Sequence, residues 1–385
     1  MKKTALLLLS MVGIMTLAGC KEAPQGVYDN MNKYNDNKQI EDPDSDYCTV
    51  KELNQTDMEK IAEKYDNIIL PQSVDFSGIE DVCTLEVQVE SDYINKYEKE
   101  HRELFGIKTD SYETSATPGG TNHCYTDGDK MINIDECGFV SYFDSSLEIA
   151  DCVLVDKYRR GKDDFDSTVI KFQDGDKKLS VLCDEAKEWY KANFDNSTLD
   201  YEIRDAFVVE VENDKGKTSV ASLCGEFCYK GIEFNNHYFK SYDENLTTTF
   251  KSMSYGTSAQ YNDSKQLGSF IINNQTLNVI KATSQDKIIS FSNAVEKVAT
   301  KLSGFGTMEF ELVAPMYEIT LKGNNYESLY GPGQVFEARP VYVFLCKKEE
   351  SSVDSICMPV SPFELYDKYC TIDMITGDFN TNLGL

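Results

Sequence analysis

One pattern constrains the fold of this chain more than any other. An amphipathic helical stretch is followed by long runs rich in β-branched and aromatic residues, and the pattern occurs twice. In the first copy, Val181 to Asn193 has helical spacing, with Val181, Leu182, Ala186, Trp189 and Tyr190 available to one apolar side. Ser180 suits the N-cap, and Asp184 and Glu185 favour the early turns. Strand-like runs follow at Leu199 to Val211 and Ser219 to Tyr229, joined by the turn Glu212-Asn213-Asp214-Lys215-Gly216. In the second copy, Ser290 to Leu302 is the helix, with Phe291, Ala294, Val295, Val298 and Ala299 at helical spacing. Runs at Met308 to Lys322, Gln334 to Cys346 and Tyr369 to Met374 are its strands, with Tyr330-Gly331-Pro332-Gly333 as the turn before the middle one. A helix laid on an antiparallel meander lets each element bury its apolar side on the other. The expected fold class is therefore α+β: two repeated modules of a helix packed on an antiparallel β-meander, after a smaller mixed N-terminal region.

The ending Cys370-Thr371-Ile372-Asp373-Met374-Ile375-Thr376-Gly377-Asp378 resembles the last strand and turn of PepSY-like modules, which commonly close on apolar-Asp-Ala-x-Thr-Gly. Ile372, Asp373, Thr376 and Gly377 match that pattern, and Met374 stands where Ala is usual. Arg339-Pro340-Val341-Tyr342-Val343-Phe344 is similar to the strand before such an ending, and Tyr229-Lys230-Gly231-Ile232-Glu233-Phe234 to a strand start in these modules. The first copy lacks the Asp-x-x-Thr-Gly closure. The chain also resembles bacterial surface lipoproteins of Gram-positive type with tandem PepSY-like modules. The resemblance implies binding or regulation of envelope enzymes and sensor kinases, with no catalytic residues in the modules themselves.

The N-terminus supplies an address. Lys2 and Lys3 precede an apolar run from Ala5 to Leu17, long enough for a signal-peptide core and short for a membrane span. Leu17-Ala18-Gly19-Cys20 then reads as a lipobox, with Cys20 the acylated first residue of the mature protein on the extracytoplasmic face of the cell membrane. Residues 1–19 are thus the leader and 20–56 a polar tether. Residues 57–145 form the mixed region, 146–245 the first module and 246–385 the second. Within the mixed region, Val82 to Val89 alternates as a strand, and Tyr93 to Phe105 reads as a helix capped by Ser91 or Asp92 and stopped at Gly106. Ser111 to Gly128 reads as a loop, and Cys137-Gly138 as the turn of a hairpin.

With 38 basic against 65 acidic residues the formal charge is -27, and loss of Lys2 and Lys3 with the leader makes it -29. Such an excess argues against nucleic acid, whose phosphates need basic clusters. Asp127-Gly128-Asp129 lacks the oxygen spacing of an EF-hand, and Asp174-Gly175-Asp176 reads as a hairpin turn. Beyond Cys20 there are eleven cysteines, an odd number. Cys183, Cys224, Cys228 and Cys346 sit in apolar runs and read as core. Cys346, Cys357 and Cys370 have open pairing possibilities around the last hairpin.

Chemistry is sparse. His101, His123 and His237 are the only histidines. His101 reads as solvated beside Glu98, Lys99 and Glu100; His123 and Cys124, adjacent in an extended segment, point to opposite sides; His237 reads as a surface loop residue. No zinc, nucleophile-elbow or phosphate-loop motif occurs. No catalytic residue, metal ligand or cofactor is therefore assigned. The sequence reads as a non-enzymatic, lipid-anchored protein that binds an envelope protein or peptide, with a solute- or glycan-binding lipoprotein as the alternative. The partner is expected at exposed edge strands, with Val343 and Ile372 as candidate positions.

Overall fold

The computed structural model describes residues 46–71, 74, 76, 78–117, 120–146, 151–159, 163–194, 198–213, 216–234, 238–242, 248–252, 256–265, 267–272, 276–320, 331–346, 365–366 and 369–381. The leader, Cys20, His237 and Cys357 lie outside them. Among the described residues, 24 strands accompany only five helices, and strand pairing rather than modular repetition organises the chain.

The expected pair of helix-on-meander modules is not what forms. Seventeen strands join in one hydrogen-bonded sheet whose pairings branch. One arm is wholly antiparallel. It runs in space through Glu113–Thr117, Gly120–Asp127, Lys130–Asp135, Val140–Asp144, Leu267–Ile272, Gly256–Tyr261, Gly216–Tyr229, Asp200–Asn213 and Asp151–Arg159. The second arm starts at Ile232–Phe234, which folds back on the end of Gly216–Tyr229 and then lies parallel to Met308–Thr320. Val335–Cys346 pairs next. Its first half takes Cys83–Val89 on its other side and its second half Tyr369–Asp373. Leu277–Ser284 borders Cys83–Val89, and Phe379–Thr381 borders Tyr369–Asp373.

The physical reason for the departure is long-range register. The local periods that mark each strand are present, but Cys83–Val89 and Val140–Asp144, from the expected mixed N-terminal region, insert against strands more than a hundred residues away. The sheet therefore mixes the residues expected to form separate modules. Folded structure also begins within the expected tether. Thr49 and Glu52 form a reciprocal capping box on the short Val50–Leu53 helix, Leu53 is fully buried, and Tyr47–Cys48 pairs with Ile288–Ile289. The stretch read as a loop at 111–128 is instead the regular hairpin Glu113–Thr117 and Gly120–Asp127.

The helices lie close to expectation. Phe291–Leu302 starts at Ser290, whose hydroxyl accepts the Asn293 N–H, and it buries Phe291, Ala294, Val295, Val298, Ala299 and Leu302. Leu179–Asn193 starts two residues earlier than expected, with Lys178 rather than Ser180 at the cap; Val181 stays 42% exposed. Tyr93–Leu104 has Asp92 at its cap in a left-handed conformation and no side-chain cap bond. Aromatic rings fill the space under the helices: Trp189 meets Phe270 at 5.2 Å, Phe105 stacks on Tyr142 at 4.3 Å and Tyr190 on Tyr201 at 3.9 Å.

The two arms meet at the two-residue turn Lys230-Gly231, where both residues have positive φ (50° and 83°). That is the geometry a tight hairpin needs to match strand twist. The turn is seated: the Glu80 N–H donates to the Lys230 carbonyl at 3.0 Å, and Lys230 Nζ lies 3.1 Å from Asp81. A Cβ at Gly231 would stand 1.9 Å from the Gly78 carbonyl oxygen. Gly231→Ala is expected to cost at least about 2 kcal/mol, from left-handed strain plus a backbone collision. Leu302→Ala, at a fully buried position, should cost about 2–5 kcal/mol. Val181→Ala should stay within about 0.5 kcal/mol. Urea unfolding of the three variants checks this ranking.

Candidate functional site

Neither position expected to border an exposed edge does so. Val343 lies between Ala314 and Thr371, Ile372 lies between Tyr342 and Phe379, and both are fully buried. The strands that carry them are interior there, because Met308–Thr320 and Phe379–Thr381 take up their outer hydrogen-bonding sides. The closing Asp-x-x-Thr-Gly motif makes a turn. Asp373 Oδ1 accepts the Ile375 and Thr376 N–H groups at 2.8 Å each, and Arg339 Nε reaches Asp373 Oδ2 at 2.8 Å.

The histidines divide into two environments. His101, expected in solvent, is buried: its Nε2 lies 2.9 Å from Tyr93 Oη and its ring stacks on Phe194 at 4.6 Å. Burial pushes its pKa down to about 4. A helical period places it inward because Tyr93 and Tyr97 share that face and close over the ring. Cys224 and Cys228 are buried in a strand, as their apolar surroundings indicate, and burial pushes both thiols up. On the same strand Glu226 is buried beside Glu233, which pairs with Arg204, while Arg159 forks onto Asp205 at 2.8 and 3.0 Å. Burial, reinforced by Glu233, pushes the Glu226 carboxyl up. The Arg159–Asp205 and Arg204–Glu233 pairs are half-buried links between strands of the sheet.

His123 belongs to a second cluster, at the sheet's free end. Glu98 and Arg102, four apart on the Tyr93–Leu104 helix, face His123 and Tyr125, two apart on Gly120–Asp127. His123 Nδ1 donates to Glu98 Oε2 at 2.8 Å, and the Arg102 guanidinium lies 4.8 Å from the centre of the Tyr125 ring. Arg102 Nη1 also donates to the Thr109 carbonyl at 2.6 Å and to Asp110 at 2.9 Å, which fixes the loop leading to Tyr112. Tyr112 stacks on His123 with centroids 4.1 Å apart, yet it is 48% exposed. The hairpin strand Glu113–Thr117 begins at the next residue.

That strand is a sheet end of distinctive kind. Three strands of five or more residues close the branches among the described residues: Glu113–Thr117, Asp151–Arg159 and Leu277–Ser284. The last two carry register breaks, at Val155 and Ile280, the usual protection of an edge. Glu113–Thr117 pairs in unbroken register with Gly120–Asp127, contains neither Lys nor Pro, and is exposed from Glu113 to Ala116. Sequence reasoning passed over it because Ala116 is its one apolar residue. The signal available was the turn-forming Thr117-Pro118-Gly119-Gly120 between runs rich in Thr. No group of three or more His, Cys, Asp or Glu among the described residues is placed to hold a metal ion. Compared with models of known protein families and with curated proteins, the chain matches none.

The His101 environment has a pH consequence. Its pKa falls from 6.5 in the unfolded chain to about 4 in the fold, so the unfolded chain takes up the proton first as pH drops. Stability from this site is intact above about pH 6.5 and is lost between there and pH 4, by about 3 kcal/mol at the limit. His101→Gln keeps an acceptor for Tyr93 and has no proton to bind. Urea midpoints of the variant should lack the decline that the native chain shows relative to it over that window.

Proposed function

We propose that this chain is a lipid-anchored, extracytoplasmic binding protein, without catalytic activity of its own, that captures an extended segment of an envelope protein or peptide by strand addition. The observation that carries this reading is the open Glu113–Thr117 edge, regular, exposed and without the breaks of the other long edges. An added strand draws affinity from main-chain hydrogen bonds and selectivity from alternate side chains. The lipobox at Leu17-Ala18-Gly19-Cys20 supplies the address. A diacylated cysteine gives stable attachment by itself, consistent with the absence of a polybasic stretch.

Two measurements test the parts separately. Cys20→Ser should abolish palmitate labelling and move the protein out of the membrane fraction; persistent labelling contradicts the anchor. For the edge, a photo-crosslinking residue at Ala116 should trap a discrete partner on intact cells, and one at Val181, also exposed, should not. Peptide N–H groups alternate in direction along a strand, so one of Thr114→Pro and Ser115→Pro deletes an outward-facing donor. That variant should lose the crosslink with its fold retained. Equal trapping from Val181, or trapping untouched by both prolines, contradicts strand addition.

A further inference from the structure

Resting on the strand-addition reading, we propose that the captured segment is basic, and that one of its Lys or Arg side chains lies on the outer face of Tyr112. The site is prepared before any partner arrives. One face of the Tyr112 ring is covered by His123 at 4.1 Å, and Tyr125 lies at 5.2 Å, which fixes the ring's orientation. His123 is in turn held by Glu98, and the Lys108 to Tyr112 loop is pinned by Arg102 and by the Lys108 N–H on Asp127 at 2.7 Å. A ring held in this way loses little freedom on binding, which favours affinity.

The charge around the ring favours a cation. Arg102 is turned inward onto Tyr125, with its side chain 13% exposed, while the Asp110 side chain is 93% exposed. Glu113 is exposed at the head of the strand, and Glu136 Oε2 lies against Gly120 at the other end of the hairpin. Carboxylates thus stand at both ends of the open edge, on a chain of formal charge -27. An aromatic face attracts a cation through its quadrupole, most strongly for Arg. Because Tyr112 immediately precedes Glu113, a strand added along the edge brings an alternate side chain over the ring with no further rearrangement.

The test uses the full mature chain and two acetylated, amidated octapeptides, one of alternating Thr and Arg and one of alternating Thr and Gln, titrated by calorimetry. The Arg peptide should bind at least about tenfold more tightly than the Gln peptide, with an affinity that falls as salt rises. Tyr112→Leu should weaken the Arg peptide about five- to tenfold and leave the Gln peptide unchanged. Equal binding of the two peptides, or an Arg affinity unmoved by Tyr112→Leu, overturns the cation subsite while strand addition stands. Arg binding that survives both Thr114→Pro and Ser115→Pro, or no binding of either peptide to the native chain, overturns strand addition itself.

Discussion

Everything in this fold passes through the Lys230-Gly231 turn. The long strand Gly216–Tyr229 is the spine of the antiparallel arm, and it leads into the second arm only because the chain reverses in two residues of left-handed conformation. The reversal lets Ile232–Phe234 reach Met308–Thr320 in parallel, a pairing that joins the two halves of the sheet. Its outer surface is occupied as well. Gly78 and Glu80 lie against the turn, and Asp81 receives Lys230 on one oxygen and the Ser284 hydroxyl on the other at 2.7 Å. One tight turn thereby binds the N-terminal segment, both arms and the end of Leu277–Ser284. A side chain at position 231 removes the contact on which the others depend.

Ion pairs also link the strands of the sheet. Arg159 with Asp205 and Arg339 with Asp373 span neighbouring strands, and Arg204 with Glu233 reaches across the intervening Gly216–Tyr229 strand. They favour one register: a slipped strand would separate the partners and leave the more buried carboxylates of Asp205 and Asp373 unpaired. Edge protection follows the same logic. Bulges interrupt two of the long free edges, so the regular Glu113–Thr117 strand is an exception to the pattern of its own sheet. Exceptions of this kind, where local regularity is kept at an exposed edge, are where function is sought.

Much of the secondary structure was legible and little of the architecture was. The Phe291–Leu302 helix could be read from helical spacing because it buries one face, and the strands from Met308 to Asp373 from their runs of β-branched and aromatic residues. The Val169–Phe172 and Gly175–Lys178 hairpin was visible through Asp174-Gly175-Asp176. The pairing of Cys83–Val89 with Val335–Ala338 was not, since alternation reports which face a strand buries and is silent on its neighbour. For the same reason Val343 and Ile372 passed for edge residues: apolar strand residues look alike at an edge and in an interior. His101 was misplaced because three charged neighbours outweighed the buried Tyr93 on the same helix face. Tyr112 and its strand went unnoticed because their exposure, the property that makes them accessible, removes the apolar period.

The central claim is that Glu113–Thr117 is an open edge that receives another strand. Hydrogen exchange on the full mature chain tests it most directly, read amide by amide across residues 113–117 with and without the alternating Thr-Arg peptide. In the free chain the inward amides, bonded to Gly120–Asp127, should exchange slowly and the outward ones rapidly. Bound peptide should slow the outward ones selectively. Uniform protection in the free chain, or outward amides that exchange as fast with the peptide as without it, would contradict the account.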